Sequence, residues 1–69
     1  MATIKILLNG ETREAPGEIN LDHLLELFSL PSQRIAIELN KNVIPRANWP
    51  QTAIGDGDRI EVVHFVGGG

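Results

Sequence analysis

Apolar and polar residues alternate from the start of the chain. Ile4, Ile6 and Leu8 fall on one side and Lys5 and Leu7 on the other, which predicts a half-buried strand over residues 3–9. Asn9-Gly10 follows at once, a hairpin signal because both central turn positions need positive φ. The returning stretch 11–14 is short and polar and reads as a wet edge strand, ended by Pro16-Gly17. The period then changes. Leu21, Leu24, Leu25 and Phe28 stand at i, i+3, i+4 and i+7, a single apolar stripe on a helix, broadened by Leu27 and Leu30. Asn20 suits its N-cap and Asp22 the positive end of its dipole, while Pro31 stops it by about Ser29. Residues 35–39 alternate again, Asn40-Lys41-Asn42 turns the chain, and Val43-Ile44 makes a brief partner strand closed by Pro45. Residues 46–53 show no usable period and read as a loop with at most one helical turn near 47–49. After the tight turn Gly55-Asp56-Gly57-Asp58, a last strand is expected over 59–66, with Ile60, Val62 and His64 inward and Glu61, Val63 and Phe65 outward.

The order strand, strand, helix, strand, short strand, strand implies an α+β fold: a mixed sheet of four to five strands with one main helix on one face. One apolar helix stripe covers one sheet face only. The first and last strands carry apolar residues on both sides, as central strands do. We read one domain over residues 1–66 and a glycine tail over 67–69.

At 69 residues the chain is too short for a second domain, and enclosing a deep substrate cavity would leave little packed core, which argues against a self-contained enzyme. Nine acidic against six basic residues give a net charge of -3, the wrong sign for a nucleic-acid partner. No apolar run approaches the ~20 residues of a membrane span, and the N-terminus lacks a signal peptide's cleavage region, so the expected location is cytoplasmic, off the membrane. There is no cysteine, hence no disulfide, thiolate metal site or thiol nucleophile.

Few residues suggest chemistry. Gly67-Gly68-Gly69 have no side chains to pack and lose the most entropy on ordering, so they are expected to be disordered in the free protein. They read either as a frayed end or cloning remnant, or as a tail that threads a narrow channel where any Cβ would clash. Extended, three residues reach roughly 10 Å, enough to deliver a terminal carboxylate into a partner's site. Leu7, Val63 and Phe65 are expected on the uncovered sheet face, where they would form a docking patch at the root of the tail. The acidic turn 55–58 lacks the ligand spacing of a calcium loop and reads as solvated carboxylates. Trp49 is expected to cap the edge of the core, and His64 to be packed inward rather than catalytic.

The opening MATIKILLNGE…LDHLLELF, the middle strand IAIELNKNVIPR and the ending GDRIEVVHFVGGG resemble the ThiS family of sulfur carrier proteins of thiamine biosynthesis over the whole chain. That resemblance implies a ubiquitin-like β-grasp fold and a protein that is itself no enzyme and is monomeric when free. It implies Gly69 as the modified residue. Its carboxylate would be adenylated by a ThiF-type enzyme that consumes ATP, then converted to a thiocarboxylate by sulfur from a cysteine desulfurase or equivalent donor. Thiazole synthase (ThiG) would accept that sulfur. No bound cofactor is implied, since the sulfur rides covalently on the terminus. Gly68 would be the narrow residue before it and Gly67 would extend the tail. The same chemistry in molybdopterin synthesis or another thiolation pathway, and a ubiquitin-like protein modifier, are the alternatives.

Overall fold

The computed structural model describes residues 2–65. Five strands, β1 (Thr3–Leu8), β2 (Glu11–Pro16), β3 (Ile35–Leu39), β4 (Asn42–Ile44) and β5 (Arg59–His64), form one sheet in the order β2-β1-β5-β3-β4. The helix α1 (Leu21–Leu27) follows β2, and a 3-10 segment (Arg46–Gln51) lies between β4 and β5. β1 runs parallel to β5, and the remaining neighbours pair antiparallel. This is the mixed sheet with one helix expected of a β-grasp, with β5 at its centre. Val66 and the Gly67-Gly68-Gly69 tail lie outside the described residues.

The apolar alternation decides which face is buried. Ile6, Leu8, Ile35, Ile37 and Ile60 project from the sheet onto Leu21, Leu24 and Leu25 of α1, and all are nearly inaccessible. Ile4, Leu39, Ile44 and Val62 pack around this cluster, as does Phe28 at the helix end. The Asn20 side chain accepts from the His23 amide at 2.8 Å and begins the helix as its sequence requires.

The helix ends earlier than Pro31 demands. Phe28 is the C-cap, and Ser29 takes the left-handed conformation at φ 54°. The Ser29 amide then donates to Glu26 O and the Leu30 amide to Leu25 O at 2.8 Å, the paired bonds of a Schellman motif with serine where glycine is usual.

Other differences have equally local causes. β2 continues through Pro16 because Ala15 is not wet at all: it is buried opposite Ile4, and edge strands tolerate proline. The stretch expected to be a loop is a six-residue 3-10 segment stitched to the start of α1, with the Leu21 amide donating to Thr52 O and the Ile54 amide to Ile19 O. Trp49 anchors it. The ring is 2% exposed and its Nε1 donates to Ile44 O at 2.8 Å, with the Arg46 guanidinium 4.6 Å above it, so it closes the core edge as expected.

Candidate functional site

β5 carries the chain towards the glycines, and its neighbours fix where it points. At its start, the turn before it is tied to β1: the Lys5 amide donates to Asp56 Oδ1 at 2.8 Å and the Gly57 amide to Lys5 O at 2.7 Å. Gly57 sits at φ 85°, where a side chain would be strained. Asp58 accepts from the Gly55 amide at 2.7 Å through Oδ2 and from Asn40 Nδ2 at 3.1 Å through Oδ1. The acidic turn is thus a backbone clasp, more than the solvated carboxylates its sequence suggests.

Two asparagines complete the seating. Asn40 Oδ1 accepts from the Arg59 amide at 2.9 Å, and Asn9 Oδ1 accepts from the Val62 amide at 2.8 Å. Both asparagines stand at positive φ in the turns that end β3 and β1. Sequence reasoning registered them only as turn residues. An asparagine just past a strand end can also complete the neighbouring strand's ladder, and that is the signal it offers here.

The face without the helix bears the expected docking residues, but they do not form one patch. Leu7 is half-buried between Thr12 and Arg59, its partners in the sheet. Val63 lies four residues beyond Arg59, about 13 Å along the strand, so β1 and β5 are neighbours without bringing Leu7 to it. Val63 (49% exposed) and Phe65 (51%) do share this face, with Ala36 opposite Val63. Across β3, Val43 is the most exposed large apolar residue among those described, at 65%, and it joins them through the row Glu61, Glu38, Val43. The three-residue β4 is too short for its alternation to have revealed Val43.

His64 corrects another expectation. It has the core-side parity of Ile60 and Val62, yet it is exposed, since it stands at the end of β5 where β1 has already stopped. His23 is far off in sequence, on α1, in an open depression lined by Pro16, Ile19, Glu26 and Leu27. Among the described residues no cluster of three or more His, Asp or Glu is placed to hold a metal ion, and no polar or charged residue is buried. Gly67, Gly68 and Gly69, the remaining expected site residues, lie outside the described residues.

Set beside known proteins, the chain matches the ThiS family model over residues 6–69. It is 35% identical over 66 residues to a thiazole synthase of Paramagnetospirillum magneticum, covering 96% of this chain and 20% of that protein. The chain therefore spans about a fifth of that relative. It is 37% identical over 49 residues to the sulfur carrier protein ThiS of Bacillus subtilis, covering 71% of this chain and 74% of the relative. Among solved structures, the crystal structure of the thiamine biosynthesis protein ThiS from Geobacter metallireducens superposes with a TM-score of 0.84 at 29% identity, covering 96% of this chain and all of that one.

Proposed function

The chain belongs to the ThiS family, and we propose that it is a sulfur carrier of thiamine biosynthesis whose cargo is held on the carboxylate of Gly69. The observation that carries this reading is the reach of the family match, which runs on through Gly67-Gly68-Gly69 instead of stopping with the packed domain. The chemistry follows from what a carboxylate lacks. At neutral pH it resists acyl transfer, so a ThiF-type enzyme first joins one of its oxygens to the α-phosphorus of ATP and releases pyrophosphate. Sulfide then attacks the acyl carbon and AMP leaves, which gives the thiocarboxylate; a desulfurase's persulfide in its place gives an acyl disulfide, from which a second thiol releases the thiocarboxylate by reducing the S–S bond and leaving as part of a disulfide. The carrier contributes a rigid handle: β5, tied at its start by Asn40 and Asp58 and at Val62 by Asn9, leads towards the glycines from a domain that the enzyme can grip.

Thiazole synthase is the proposed acceptor. Support comes from the Paramagnetospirillum magneticum relative, a thiazole synthase one-fifth of which matches nearly all of this chain. Carrier-like and synthase portions in one polypeptide fit a direct hand-over between them.

Intact-protein mass spectrometry tests the proposal after incubation with a ThiF-type enzyme, ATP and sulfide. The expected result is a gain equal to exchanging one oxygen for one sulfur, localised to Gly69. An unchanged mass with no adenylate would refute it. A second expectation concerns the outer face. Phe65→Ala should weaken binding to the activating enzyme about tenfold, roughly 1.4 kcal/mol. It should alter unfolding by well under about 1 kcal/mol, because half the side chain already meets water. Equal affinities in titration calorimetry would remove Phe65 from the contact.

A further inference from the structure

The central strand has a free edge. β1 pairs with β5 only at Leu7↔Arg59 and Leu8↔Ile60 before the hairpin turns it away, whereas β5 runs on to His64. Backbone groups of β5 point alternately to its two neighbours. Phe65 donates to Arg34 O at 2.9 Å, which fixes the odd-numbered residues towards β3 and the even-numbered ones towards β1. On the β1 side Ile60 O accepts from the Asn9 amide at 2.9 Å, and the Val62 amide is met by the Asn9 side chain. The Val62 carbonyl and both the amide and the carbonyl of His64 have no backbone partner among the described residues, and His64 is exposed.

The other two edges are guarded. β2 carries Glu11, Arg13 and Glu14 and ends in Pro16, and β4 has only three residues, which are the usual defences against strand addition. Val62-Val63-His64 has none of them: no Lys, Arg, Asp or Glu, no proline and, among the described residues, no cover. Two carbonyls flanking one amide at strand spacing are the complement of another peptide backbone.

We propose that this edge takes an extended segment of the enzyme that activates the terminus, added as a strand beside Val62–His64 in the place β1 vacates. The inference rests on the carrier reading above and adds the means of docking. A strand laid there hydrogen-bonds the last residues before the glycines, so it sets the direction of the tail as it binds. Such recognition uses main-chain groups, and the identity of side chain 64 matters little to it.

Proline at position 64 removes the one free amide while leaving every bond to β3 in place, whereas valine keeps the amide and removes only the imidazole. We expect His64→Val to bind the ThiF-type enzyme within about twofold of the parent, and His64→Pro to bind at least about tenfold more weakly with its melting transition retained. In the unaltered protein, NMR hydrogen exchange should show the His64 amide unprotected when free and slowed at least about tenfold in the complex. The proposal is overturned by an amide that stays unprotected in the complex, by equal loss in the valine and proline variants, or by a folded proline variant that binds normally. A protection that appears without enzyme as protein concentration rises would assign the edge to a second copy of the chain and equally overturn it. His64→Pro that is still thiocarboxylated at high enzyme concentration leaves the carrier function standing; a parent protein that neither binds nor gains sulfur removes both.

Discussion

Leu25→Ala is expected to lower the free energy of unfolding by about 2–5 kcal/mol, the range for deleting a buried leucine side chain. Leu25 is 3% exposed and sits in the cluster that α1 shares with Ile6, Ile37 and Ile60. The helix that presents it has seven residues, too short to be stable alone, so burial of Leu21, Leu24 and Leu25 is what holds α1 in place. The helix contributes no second layer behind them, and the void cannot be filled by sliding, because Asn20 fixes one end and the Ser29 and Leu30 amides fix the other. Domains of this size hold stability near the low end of about 5–15 kcal/mol, so the variant should be substantially unfolded in modest denaturant. Leu27→Ala is the control. At 49% exposed on the same helix, it should cost less than about 1 kcal/mol. Similar losses for the two in urea melts would contradict the helix orientation described.

The buried stripe Leu21, Leu24 and Leu25 was legible in the sequence because a helix repeats at i, i+3, i+4, and Asn20 and Pro31 bracketed it; Leu27, read as broadening that stripe, is instead half-exposed on the flank of the helix. Strands β1, β3 and β5 were legible for the same reason, their period being two. What the pattern missed has no period. The segment Arg46–Gln51 folds because Trp49 finds Ile44 O and because Thr52 and Ile54 meet the residues flanking Asn20, contacts between parts of the chain that no local window joins. The wet strand read over 11–14 stopped short of Ala15, whose neighbours Glu14 and Pro16 are polar or turn-forming, while its burial is decided by Ile4 across the hairpin. The candidate site divides similarly. Parity placed Val63 and Phe65 on the open face correctly. Parity could not tell that β1 ends three residues short of Val63, which separates Leu7 from them, nor that His64 projects past its cover. Strand stagger is a property of the turns. Asn9-Gly10 and Gly55–Asp58 set it, and in doing so they leave the end of β5 exposed.

Gly68→Val is expected to leave folding untouched and to reduce adenylation by a factor on the order of a hundred, equivalent to about 2.7 kcal/mol in the transition state. The first half follows from the core. Every buried apolar residue described lies between Ile6 and Ile60, and the last hydrogen bond that ties β5 to β3 is made by Phe65, three residues before the substitution. A change beyond that point removes none of the packing or ladder bonds described. The second half follows from the chemistry proposed for Gly69. Its carboxylate must approach the α-phosphorus of ATP within an enzyme site, and the residue before it must pass through the same opening. Glycine presents no Cβ there and reaches backbone angles closed to other residues, whereas valine adds a Cβ carrying two methyl groups and restricts both φ and χ1. Gly68→Ala separates these contributions, since it adds a single carbon without branching, and an intermediate rate is expected. Pyrophosphate release with a ThiF-type enzyme measures the rates, and thermal melts measure the folding. Equal rates for all three proteins would mean that the opening is wide and that glycine is not required by fit; a lowered melting temperature would mean that Gly68 contributes to the folded domain.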